Sequence, residues 1–262
     1  MDYSQKIEFN KIRSTSEIFS DYWHFMKEEW RSYCLVLGVF VLPFAFLGAY
    51  LFSQRPNELF EVLAAMEDPD FQNEFVPVGS VVSNMLLAML CSFLAKFMGL
   101  FVSCAYIIKY MSSERNFSVS NERFGIDSFL PFFSQYGLLA LLATIIMTIM
   151  VSFGFVLFII PGLILLPPMS LLIYDVFVTK SCSASFFRCI NLCKTNWRQS
   201  FSVVFLCYFA IIVISMVLGA LVPSDNSMAN IILSSIMTVL SETVMIPFIL
   251  LYYSLANQNM RL

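Results

Sequence analysis

The stretch GLLALLATIIMTIMVSFGFVLFIIPGLILLPPMSLLIYDVFV, Gly137 to Val178, decides the fold. Over its 42 residues it carries one charged side chain, Asp175. A helix needs about 20 mostly apolar residues to cross the hydrocarbon core of a bilayer. The run is too long for one crossing, and Pro161-Gly162, a turn-forming pair, divides it near the middle. It reads as a tight hairpin of two spans, 137–160 and 163–178. Lipid offers backbone N–H and C=O groups no partners, so the crossings must be helices. A membrane β-barrel would show short strands of alternating polarity instead, and none is seen.

Four more spans flank the hairpin, at 33–53, 81–108, 201–222 and 231–255. The second is long enough to tilt or to extend past the lipid. Composition agrees: 59% of residues are apolar and 13% charged, against about 25% charged in an ordinary soluble domain. The cations are sorted by gap. They lie before the first span (Lys6, Lys11, Arg13, Lys27, Arg31), between the second and third (Lys109, Arg115, Arg123), between the fourth and fifth (Lys180, Arg188, Lys194, Arg198) and after the last (Arg261). The gap after the first span has Arg55 alone against six acids, and the gap after the fifth has no cation. Positive flanks are retained in the cytoplasm, so both termini are expected inside.

The expected organisation is a cytoplasmic segment 1–32, a six-span membrane domain 33–255 with an acidic outer loop 54–80, and a cytoplasmic tail 256–262. The polar first thirty residues lack the apolar core of a secretory leader. The seven cysteines avoid the outer loop, so a disulfide framework is not expected. Cys189 and Cys193 lie one helical turn apart without a nearby His, so no metal is expected there. The basic residues form no continuous patch, which argues against nucleic acid as a partner.

Three amphipathic stretches precede the pairs of spans. Ser14 and Glu17 are spaced as a capping box ahead of Ile18, Phe19, Tyr22, Trp23, Met26 and Trp30. Phe124 to Phe133 is the second stretch and Ser183 to Trp197 the third. Apolar faces rich in aromatics suit helices lying in the headgroup layer. Trp30-Arg31-Ser32 and Trp197-Arg198-Gln199-Ser200 echo each other, which suggests three copies of one unit: interfacial helix, span out, span back. The acidic loop carries a further amphipathic patch (Leu59, Phe60, Leu63, Met66).

Lys96, Glu242 and Asp175 are the ionisable residues inside spans. Such charges cost roughly 2.5–3.5 kcal/mol each on insertion scales and normally face the bundle interior. Lys96 and Glu242 both count to the midplane, and each lies on a stripe of small and polar residues. One stripe is Asn84, Ala88, Ser92, Lys96, Gly99, Ser103 and Tyr106; the other is Ser235, Thr238 and Glu242. Stripes of this kind mark helix contacts in lipid, so Lys96 and Glu242 are expected to pair. Such a pair is either a structural lock or a substrate or proton site. Asp175 reads as a headgroup-level charge beside Lys or Arg. Pro161, Gly162, Pro167 and Pro168 are the candidate helix breaks, the last two in the short fourth span; Pro43 and Pro247 read as kinks. Thr144, Thr148 and Ser152 read as an interhelical seam.

Enzyme motifs are missing. A helical zinc-protease site needs two histidines, and the chain has only His24. Neither a G-x-S-x-G elbow nor a P-loop occurs.

The residues Pro161-Gly162-Leu163-Ile164-Leu165 and the stretch Asp175 to Phe201 resemble a bacterial membrane family. It is the group related to the membrane domain of glycerophosphoryl diester phosphodiesterase, with small six-span inner-membrane proteins. The resemblance rests on the Pro-Gly hairpin, an acidic residue (Asp175), a Ser-Ala-bearing amphipathic helix (Ser183, Ala184, Ser185, Arg188) and an aromatic start to the next span (Trp197). It covers about a quarter of the chain. It implies fold and location. The phosphodiesterase activity of such relatives belongs to a separate soluble barrel, which has no counterpart here.

The expectation is therefore an all-α integral protein of the inner membrane, with six transmembrane helices and about three cytoplasmic-side interfacial helices. A non-enzymatic, lipid-interacting or scaffolding role comes first, with membrane lipids and a membrane-protein partner or second copy as partners and no cofactor. The alternative is a small transporter or channel-like protein using Lys96 and Glu242.

Overall fold

The computed structural model describes residues 11–53, 78–115, 126–157, 159–222 and 227–260. The described residues form helices and connecting turns, with six helical stretches long and apolar enough to cross a membrane. The outer-loop patch around Leu59 and Met66, Phe124 and the turn 223–226 lie outside the described residues.

The helices are α1 (Thr15–Ser53), α2 (Val78–Arg115), α3 (Ile126–Leu157), α4 (Ile159–Thr179), α5 (Cys182–Thr195), α6 (Trp197–Leu221), α7 (Ser227–Glu242) and α8 (Met245–Asn259). Successive crossings run in opposite directions. The starts of α1, α3 and α6 and the ends of α2, α4 and α8 therefore share one end of the bundle, the basic end, where Lys109, Lys180, Arg188 and Arg198 lie.

α3 ends at Leu157 and α4 begins at Ile159. Pro161 falls in the first turn of α4, where its missing N–H costs no helical bond. Gly162 makes the hairpin close: a methyl group there would lie 2.7 Å from the Phe155 ring, and one on Gly154 would lie 2.9 Å from the Gly162 Cα. Pro161-Gly162, predicted as the turn, instead lies within the first turn of α4.

Three expectations are corrected. The first amphipathic stretch is no separate interfacial helix, because α1 runs unbroken for 39 residues. That is about 58 Å at 1.5 Å per residue, roughly twice the hydrocarbon core. Ser14 and Glu17 do form the capping box, with the Ser14 N–H and hydroxyl donating to the carboxylate at 2.7 and 2.8 Å. From there, Ile18 and Phe25 are buried against the bundle, Phe25 edge-on to Tyr106 and Tyr110, while Trp23 and Trp30 are exposed. The described part of the second stretch likewise continues into the third span as α3. The third stretch is a helix of its own, α5. Its buried face is Ser185, Cys189, Leu192 and Cys193, and Phe187 points away. The Trp-Arg echo is not matched locally, since Trp30 lies inside α1 whereas Trp197 opens α6.

The third correction concerns helix breaks. Pro167 and Pro168 are buried inside α4, which continues through both, as α1 continues through Pro43. The interrupted crossing is the sixth. Pro247 has no N–H to give to the Thr243 carbonyl, and its ring clashes with that carbonyl. The chain answers with tighter i→i−3 bonds: Thr243 N–H to Leu240 O, Val244 N–H to Ser241 O, and Ile246 N–H to Thr243 O at 3.2 Å. α7 therefore stops at Glu242 and α8 starts at Met245.

Candidate functional site

The break lies halfway along the sixth crossing, beside the middle of α2. Its freed backbone groups are met by side chains, as they must be at membrane depth. Ser103 on α2 donates to the Glu242 carbonyl at 3.5 Å and shares a 2.8 Å hydrogen bond with Tyr33 on α1. Tyr22 bonds the Thr243 hydroxyl at 3.3 Å. Thr243 and Ser241 donate back to the carbonyls of Leu240 and Thr238.

The Glu242 side chain is buried and lies on Gly99 of α2. A methyl group at Gly99 would fall 2.2 Å from its Cγ and 3.0 Å from its Cβ. The small-residue stripe on α2 faces the bundle as expected. A methyl on Gly48 of α1 would touch Ser92, Ala88 and Cys91, and Tyr106 donates to Glu29 at 2.7 Å.

Lys96 and Glu242 are brought together closely enough to interact electrostatically. They do not form the expected direct ion pair, since no N–O distance between them falls within 4.0 Å. Among the described residues, the Lys96 ammonium has no hydrogen-bond or ion-pair partner. It meets open space instead. A cavity of about 620 Å³ lies between α1, α2 and α7 towards the far end of the bundle, with Ser92, Lys96, Thr148, Ser234 and Thr238 in its wall. A second, of about 270 Å³, reaches Lys96 from the α3, α4 and α6 side and adds Ser152, Ser170 and Tyr208. Lys96 and Thr148 line both. The Thr144–Thr148–Ser152 row, read as a seam, is thus partly a cavity wall. Sequence reading placed Gly99 on the small-residue stripe and read Pro247 as a kink; it missed Tyr208 and the full break at Pro247, whose signal was a proline four residues after Thr243, next to an intramembrane acid.

Asp175 is elsewhere. It is fully buried within the protein, four residues before the end of α4 at the basic end. Tyr252 donates to its Oδ1 at 2.5 Å, Arg188 on α5 lies 3.6 Å from the same oxygen, and Oδ2 has no hydrogen-bond partner. This cluster ties α5 to α4 and α8. The predicted break residues Pro161, Gly162, Pro167 and Pro168 lie on α4. Of these, Pro167 walls a separate apolar cavity of about 290 Å³ next to the Lys96 site.

A second polar anchor was also missed. The Arg13 side chain is buried, and its backbone N–H donates to Ser254 Oγ at 2.9 Å. Gln199 and Ser254 donate to the Arg13 carbonyl, and the guanidinium pairs with Asp21 at 2.7 Å. Among the described residues no cluster of His, Cys, Asp or Glu is arranged to hold a metal ion.

Comparison of the chain with protein-family models, with curated proteins and with solved structures finds no match.

Proposed function

We propose that the chain is a non-enzymatic, multi-pass protein of the cytoplasmic membrane that binds and moves a ligand at Lys96. The basic end is taken as cytoplasmic, following the retention of positive flanks. The observation that carries the reading is Lys96 itself: a cation halfway along α2, without a hydrogen-bond or ion-pair partner among the described residues, with a cavity on either side. An interrupted helix opposite a buried charge is a recurring way of building a substrate site in transporters. A purely structural lock would be expected to close Lys96 onto Glu242 in a dry contact. The cavities support the transporter-like alternative, which we therefore prefer to scaffolding.

Scaffolding draws its support from Trp23, Trp30 and Phe187, exposed towards the basic end and suited to lipid or a partner. Membership in the six-span family resembled by the Pro161-Gly162 hairpin and the Asp175–Phe201 stretch is proposed with the same reading.

The test is solvent access. Cysteines placed at Ser92 and Ser152 should react with a membrane-impermeant thiosulfonate, Ser92→Cys from one side of a sealed vesicle and Ser152→Cys from the other or from neither. Lys96→Met should change both rates. If neither cysteine reacts from either side, the site is dry and the proposal fails.

A further inference from the structure

The Lys96 cavity does not end in polar wall. Leu166 and Tyr208, which line it, also line the apolar cavity of about 290 Å³ bounded by Phe155, Pro167, Phe205 and Ile212. That cavity lies between the α3–α4 hairpin and α6, and none of its lining surface is polar. Two side chains thus separate a compartment with one cation and hydroxyls (Thr148, Ser152, Ser170, Tyr208) from one that is wholly apolar.

Resting on the proposed ligand site at Lys96, we infer that its occupant is a single-chain anionic lipid, a long-chain carboxylate. Its acid meets Lys96 and its chain lies along α6 beside Phe205. Three features select this class. Lys96 lines the cavity and Glu242 does not, so a head entering there meets the cation, which complements one negative charge and repels a cationic head. Thr148 and Ser170 donate to the carbonyls of Thr144 and Leu166, which leaves the Ser152 and Tyr208 hydroxyls as donors for the carboxylate oxygens that Lys96 leaves, and a charge in a low-dielectric site needs such donors. The apolar compartment is a single groove, which suits one acyl chain rather than two. Burying methylene groups there contributes about 0.8 kcal/mol each only relative to water. Selection over bulk lipid therefore comes from the head at Lys96, and the charge should dominate discrimination.

The test uses the full chain in phosphatidylcholine nanodiscs with a palmitate probe carrying a photoreactive diazirine near the chain end. Cross-links are expected within 201–212. Lys96→Met should reduce them at least tenfold, Lys96→Arg should retain most of them, and a hexadecanol probe should give at least tenfold fewer. Val204→Trp, which fills the groove, should abolish them while Ser92→Cys stays reactive. Cross-links that ignore Lys96→Met, or that fall outside 201–212, in a protein whose Ser92→Cys still reacts, overturn the lipid assignment and leave the cavity reading standing. Retention of two-chain phosphatidylglycerol in place of palmitate overturns it as well. An unreactive Ser92→Cys and Ser152→Cys pair removes the site and this inference together.

Discussion

The side chain of Glu242 lies directly on Gly99, with its Cγ 2.2 Å from where a methyl group at that glycine would stand. The position of the buried acid is therefore set by an absence of side chain on the neighbouring helix. Gly99→Ala should force Glu242 out of place and destabilise the protein by roughly 1–3 kcal/mol, the usual cost of overpacking. Gly219→Ala is the control, because nothing lies within 4 Å of its added methyl. That variant should be neutral or slightly stabilising, since alanine suits a helix interior better. Thermal unfolding in detergent reads both; equal midpoints for the two variants would contradict the contact.

Pro247→Ala restores an N–H that can reach the Thr243 carbonyl. The sixth crossing should then straighten and lift Glu242 away from Gly99. The two substitutions should consequently be coupled by more than about 0.5 kcal/mol in a double-mutant cycle, with Pro247→Ala relieving part of the Gly99→Ala penalty. Strict additivity would separate the break from the Glu242–Gly99 contact.

Tyr252 gives Asp175 its short hydrogen bond, and Arg188 stands farther off at 3.6 Å. Tyr252→Phe should cost roughly 1.5–3 kcal/mol, the range for hydrogen bonds to charged groups. Arg188 is nearly half-exposed, so Arg188→Gln should cost less. Reversal of that order in thermal midpoints would show that the ion pair, not the phenol, holds the carboxylate.

Burial pushes the Cys193 thiol on α5 up to about 12. At pH 8 only about one molecule in 10⁴ would carry the reactive thiolate. N-ethylmaleimide should leave Cys193 unmodified in the folded protein and label it after denaturation, as read by mass spectrometry of the peptides. The thiolate fraction rises tenfold per pH unit below that value, so raising the pH should speed the slow reaction. Rapid labelling at pH 8 would mean that α5 leaves the bundle.

The hairpin was legible because forty-two residues with one charge admit no soluble alternative and Pro161-Gly162 stands near the middle. The positions of Lys96 and Glu242 halfway along their crossings were legible by counting along each span. What escaped was anything fixed by neighbours. Six prolines within the described helices look alike in sequence, yet α1, α3 and α4 continue through Pro43, Pro131, Pro167 and Pro168, while Pro161 and Pro247 stand in the first turns of α4 and α8, the latter just after the break in the sixth crossing. The surroundings of Pro247 provide Ser103, Tyr33 and Tyr22 to take up the polar groups at the gap. Trp23 and Trp30 are exposed along α1, and aromatic periodicity does not reveal whether a helix lies flat or continues into a crossing. Arg13 looked like one more flanking cation, and its burial depends on Ser254, 241 positions later.

That last attachment has a temporal meaning. During synthesis the Arg13 backbone emerges 241 positions ahead of its acceptor and donor on α8, so this attachment cannot form until the sixth crossing has been made. Until then the opening segment must wait at the membrane surface, and whatever occupies its binding groups in the interim competes directly with completion of the bundle.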